Sequence, residues 1–122
     1  MGIVKVALLL MRAQDLKGHL DSMLLAALED GPRHGYAVIE ALRQDSRGRL
    51  DLPTGTIYPA LRRLEAAGLI SGSWSVAGGR RRRCYRLTAA GQRTLAGRRT
   101  EWREFAATVS AVLEGGAWPD PA

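Results

Sequence analysis

Between Arg80 and Arg86 the chain carries five arginines in seven residues, Arg80, Arg81, Arg82, Arg83 and Arg86, directly after the pair Gly78-Gly79. Guanidinium groups present planar forks of donors that match phosphate oxygens, so this density of them suits a polyanion. A second set lies upstream at Thr54, Gly55, Thr56, Tyr58, Arg62 and Arg63, where short hydroxyl side chains precede a helical pattern and arginines follow. Short polar groups at a helix start can approach base edges, and nearby arginines can bond guanine or phosphate. Both sets suit nucleic-acid contact, and neither is a catalytic constellation. No glycine-flanked nucleophile turn precedes a helix, and no pair of carboxylates stands out for acid–base work. His19 and His34 have no second histidine or cysteine at metal spacing, so they read as capping or surface groups, and no metal or cofactor is implied. Cys84 is the single cysteine, which excludes an intrachain disulfide and fits a reducing compartment. Its place beside the arginines would suit a redox sensor, but a small strand residue is the simpler reading.

Charge supports the same partner. The chain has 122 residues and a formal net charge of +6. In residues 1–61 seven cations balance seven carboxylates, whereas residues 62–122 hold eleven arginines against five carboxylates, so the second half supplies the whole excess. Such asymmetry points to nucleic acid first and to an anionic membrane surface second. The apolar fraction of 46% and charged fraction of 25% are those of a folded soluble protein with one core. The apolar run of residues 3–11 is too short to span a bilayer, and Arg12-Ala13-Gln14-Asp15 offers no signal-peptide cleavage site, so a cytoplasmic location is expected.

The elements that must position these groups follow from periodicity. From Leu20, the apolar residues Met23, Leu24, Ala27 and Leu28 recur at helical spacing up to the stop Gly31-Pro32. Arg33-His34-Gly35 reads as a turn, and Val38, Ile39 and Leu42 mark a second helix to Asp45. Ile57, Leu61 and Leu64 share one face of a third helix that begins after Pro53, with Pro59 either close to its start or bending its first turns. Ile70, Gly72, Trp74 and Val76 alternate with serines as in a strand, Ala77-Gly78-Gly79 turns the chain, and the arginine run forms the return strand. Strand alternation sends two of Arg80 to Arg83 to each side. It also suggests that Trp74 and Tyr85 anchor the hairpin to the domain. Thr88 is a good N-cap for a last helix, on which Leu95, Trp102 and Val109 lie seven apart with Arg99, Phe105, Ala106, Val112 and Leu113 beside them. Such a stripe, lying beyond the core, wants a partner helix.

Three short helices followed by a basic hairpin form the order of a winged helix-turn-helix. The segments ALEDGPRHGYAVIEAL, LPTGTIYPALRRLEAAGLI and GGRRRRCYRLTAAG, in that order and spacing, resemble the PadR family of bacterial transcriptional regulators over roughly residues 16–113. The resemblance implies a mainly α (α+β) fold: a winged helix-turn-helix with a two-stranded β-wing and a C-terminal dimerisation helix. It implies a homodimer on duplex DNA, usually a repressor, released in some members by small aromatic ligands. Carried onto this chain, the recognition helix is matched by Thr54, Gly55, Thr56, Tyr58, Arg62 and Arg63, and the wing by Arg80, Arg81, Arg82 and Arg83. The dimer helix is matched by Leu95, Trp102, Phe105, Ala106, Val109, Val112 and Leu113, with Trp102 also a candidate effector contact, although interface packing is its simpler role.

The expected organisation is an N-terminal extension over 1–15, a DNA-binding domain over 16–87, a dimerisation helix over 88–114 and a tail over 115–122. The family's opening is matched from about Met11, so residues 1–10 are either an overlong start or an added helix packing on the dimer partner. The competing reading is a winged-helix module whose arginines serve an acidic protein surface.

Overall fold

The computed structural model of the protein describes residue 16 and residues 18–115; the N-terminal extension and all of the tail beyond residue 115 lie outside the described residues. Among them the elements run α1 (Leu20–Ala27), β1 (Arg33–His34), α2 (Gly35–Asp45), α3 (Thr54–Ala66), β2 (Ile70–Ala77), β3 (Arg80–Leu87) and α4 (Ala89–Glu114). The arrangement is that of a winged helix-turn-helix.

Each helix buries the face its spacing marked. Leu20, Leu24, Leu25 and Ala27 of α1, Val38, Ala41 and Leu42 of α2, and Ile57, Ala60, Leu61 and Leu64 of α3 meet in one core. Ile70, Tyr85 and Leu95 close it from β2, β3 and α4. Burying each leucine, isoleucine or valine among them contributes roughly 1.5–3 kcal/mol relative to exposure, so the three short helices hold one another in place.

The sheet corrects one expectation. Arg33 and His34, read as a turn, pair antiparallel with Tyr85 and Cys84 of β3 and add a short third strand to the two-stranded wing, in the order β1-β3-β2. The backbone groups of Arg33 and His34 find partners on the open edge of β3, which answers the need of every backbone donor and acceptor for a bond. The long hairpin pairs Ile70 with Leu87 through to Ala77 with Arg80. Gly78 and Gly79 form its two-residue turn at φ 59° and 76°, a conformation that matches the twist of the strands and that other residues adopt only with strain.

α3 begins at Thr54, and Pro59 sits inside it. The helix starts with Thr56 N–H and Ile57 N–H both donating to the Pro53 carbonyl, so Pro59 lies in its second turn, exposed and clear of the buried face. Thr88 caps α4 as expected, its hydroxyl accepting from Gly91 N–H and donating to the Gly68 carbonyl at 2.7 Å.

Gly91 lies so close to the preceding loop that an added Cβ would stand 2.0 Å from the Leu69 carbonyl oxygen. Gly91→Ala must push α4 off the sheet, at a cost of about 3 kcal/mol. Thermal unfolding is expected to shift down by more than about 10 °C.

α4 is also tied to the turn after α1. Arg99 donates to both carboxylate oxygens of Glu29, at 2.6 and 2.8 Å. Hydrogen bonding from Arg99 holds the Glu29 carboxyl below its ordinary value of 4.5, against desolvation, with the charge of Arg99 adding to the lowering. A depressed carboxyl stabilises the fold above its unfolded value and loses that contribution as pH falls through the folded one. Glu29→Gln is therefore expected to lower the urea midpoint at neutral pH, with the gap from wild type full above 4.5 and closing below it. A gap that persists unchanged into acid pH would show that the loss does not come from the ionised carboxylate.

Candidate nucleic-acid interface

The first turn of α3 carries Thr54, Gly55 and Thr56, all exposed because the buried face begins only at Ile57. Tyr58 is half-buried, its ring lying against Gly35 at the start of α2, where an added Cβ would come within 2.5 Å of the ring. Gly35 is thus the close approach that lets the two helix starts meet. Arg62 and Arg63, adjacent on the helix about two turns beyond Thr56, are exposed, and Arg63 reaches Asp21 of α1 at 3.4 Å. An exposed pair of that length is worth little, so Arg63 is free to change partner.

The wing divides its arginines by strand alternation. Arg81 and Arg83 lie over Trp74, with guanidinium carbons 4.7 and 5.4 Å from the ring centroid. Arg82 points to the other side and reaches His34 Nε2 at 3.2 Å. Arg80 is exposed beside the turn.

Arg83 differs from the rest. It is half-buried and donates to Glu65 of α3, whose same oxygen accepts from Gly72 N–H of β2 at 3.1 Å. That hydrogen bond raises the Arg83 pKa further above its ordinary value. Glu65 therefore fastens both strands of the hairpin to α3, and Arg83 acts chiefly as a positioning residue. The pairing spans 18 residues and had no signal in local periodicity.

Two anchoring expectations separate. Tyr85 is 3% exposed and packs in the core, where burial pushes its phenol pKa up. Trp74 does not anchor the wing to the domain: it is 58% exposed, because its strand has by then run past the helices. His34 is a cap, accepting from Ala37 N–H at Nδ1, whereas His19 makes no cap bond and sets its ring edge-on to Trp102, with centroids 5.3 Å apart.

On α4, Leu95 is a correction. Expected at a dimer interface, it is 3% exposed within the single chain, because the second turn of α4 still lies over the core. Beyond it the helix leaves the buried core, touching α1 and its flanks through Arg99 on Glu29 and Trp102 against His19 before it runs on largely exposed. Trp102, Phe105, Val109, Val112 and Leu113 are between 36% and 78% exposed, and Ala106 is half-buried.

A groove of about 1090 Å³ runs between α1 and α4, lined by His19, Met23, Ala26, Leu95, Trp102 and Phe105 among others. Among the described residues no cluster of three or more His, Cys, Asp or Glu could hold a metal, and no helix is long and apolar enough to cross a membrane.

The family model for the PadR-like transcriptional regulators matches residues 24–97, which span α1 to the first turns of α4 and include both arginine sets. The chain belongs to the PadR-like family. A transcriptional regulator of Mycobacterium tuberculosis is 40% identical over 80 residues, covering 66% of this chain and 72% of that one. Among solved structures, a PadR family transcriptional regulator from Eggerthella lenta superposes with a TM-score of 0.75 at 30% identity, covering 94% of this chain and 96% of that one. A PadR-like transcriptional regulator from Bacillus cereus gives a TM-score of 0.74 at 29% identity, covering 84% and 99%. The PadR-like family is one of transcriptional regulators, not of enzymes, and DNA-binding regulation is the function it implies.

Proposed function

We propose that this PadR-like regulator works as a homodimer on an inverted-repeat operator, in the bacterial cytoplasm, as a repressor. Residues 16–87 form the reading head and residues 88–114 the dimerisation helix. Thr54, Gly55, Thr56, Tyr58 and Arg62 face base edges and flanking phosphates, with Arg63 beside them, while Arg80, Arg81 and Arg82 take backbone phosphates.

The observation that carries the proposal is the exposed stripe of Trp102, Phe105, Val109, Val112 and Leu113 on a helix that extends away from the core. A contiguous apolar stripe at three- and four-residue spacing is costly in water and is covered when a second copy lies against it. Repression, rather than activation, is what the family resemblance implies. The α1–α4 groove is the place for a small aromatic effector, which would stack on Trp102 beside Phe105 and His19 and act by favouring one spacing of the two heads.

Selection from a random duplex library tests the proposal. The expected product is an inverted repeat with half-site centres about 10 bp apart or a multiple of that. A single asymmetric site would contradict the dimeric arrangement. Failure to enrich any duplex at low salt would point instead to an acidic protein surface as the partner.

A further inference from the structure

His34 Nδ1 accepts the backbone N–H of Ala37 at 3.3 Å, which caps α2. A ring nitrogen that accepts a hydrogen bond carries no proton, so in the neutral imidazole the proton is on Nε2. Nε2 faces Arg82 Nη1 at 3.2 Å. An arginine nitrogen is also only a donor. On that tautomer two N–H groups face each other with no acceptor between them among the described residues. The other tautomer would let Nε2 accept from Arg82, but it would set Nδ1–H against Ala37 N–H and lose the cap. Neither arrangement satisfies both contacts.

We propose that His34 and Arg82 form a two-donor clamp for one phosphodiester oxygen of duplex DNA, a site that deepens the DNA-binding reading and rests on it. An anionic oxygen accepts from both groups at once and removes the conflict that the free protein carries. Its place in the fold fits that occupant. Tyr58 of the recognition helix lies against Gly35, Gly35 follows His34, and His34 meets Arg82 of the wing, so the clamp sits between the two elements that flank the DNA. The positive end of α2 adds to the attraction for an anion there. His34, unlike the arginines, has no charge pattern around it to mark it in the sequence.

The test is fluorescence anisotropy of the full chain with a labelled random-sequence duplex, between about 50 and 200 mM salt. Wild type is compared with His34→Asn, Arg82→Gln and the double variant, each checked by thermal unfolding. Asparagine keeps a good helix cap but is too short to share an oxygen with Arg82. His34→Asn is expected to weaken binding roughly three- to tenfold. Arg82→Gln is expected to lose at least as much and to lower the slope of log affinity against log salt by about 0.9 for each copy bound. The double variant should lose less than the product of the two, because both groups serve one oxygen. On the wild-type protein, nitrogen-15 NMR should show the Nε2–H tautomer of His34, its signal shifting on addition of duplex while that of His19 does not. Wild-type affinity in His34→Asn, multiplicative losses or an Nδ1–H tautomer would overturn the clamp alone. A wild-type protein that binds no duplex would overturn it together with the reading beneath it.

Discussion

Replacing Arg80, Arg81 and Arg82 together by glutamine lowers affinity for specific and random duplexes alike, by on the order of 10³-fold or more near physiological salt, while the thermal midpoint stays close to wild type. These three guanidinium groups are exposed and, among the described residues, bonded to no carboxylate, so the fold loses little when they go. A dimer would lose six phosphate contacts, and the slope of log affinity against log salt would fall by about 5. Arg83 is left in place because its bond to Glu65 holds the wing to α3, and removing it would mix a positioning defect with the loss of charge. Thr56→Ala and Arg62→Ala are expected to act differently, reducing the ratio of specific to random affinity. Equal losses on both kinds of DNA from Thr56 and Arg62 variants would remove α3 from the reading role.

Introducing glutamate at both Phe105 and Val109 is expected to leave a folded monomer at micromolar concentration and to weaken operator binding by about 10²- to 10⁴-fold. Both side chains are exposed in the single chain, 58% and 36%, so the monomer's core does not depend on them. Two carboxylates in the middle of an apolar seam would have to be desolvated for the helices to meet, and burying an unpaired charge costs more than the seam returns. The operator loss follows because two linked heads bind as one ligand, with the second contact intramolecular. Size-exclusion chromatography with light scattering measures the mass directly. An unchanged dimer in this variant would place the interface elsewhere on the chain.

Much of this architecture is local, and local features are legible in a sequence. The helix faces of α1, α2 and α3 repeat at three and four residues, the hairpin alternates at two around Gly78-Gly79, and Thr88 stands where a cap is needed. The features that escaped are those set by distant partners. β1 has two residues, too few for any periodicity, and exists because β3 offers an edge some fifty residues later. Trp74 continues the inward alternation of β2 yet lies in solvent, since pattern gives the face of a strand but not where the helices beneath it end. Leu95 has the same seven-residue spacing as Trp102 and Val109, but the domain core claims it first. The Glu65–Arg83 bond and the His34–Arg82 contact join residues 18 and 48 positions apart, and only the folded chain brings them together.

Sedimentation equilibrium of the protein with a selected operator duplex tests the central proposition, that two chains joined along α4 present two cationic heads to one DNA. The expected result is a complex of two chains per duplex across a range of concentrations, with the free protein also sedimenting as a dimer. A complex of one chain per duplex, formed with undiminished affinity by a monomeric protein, would contradict it.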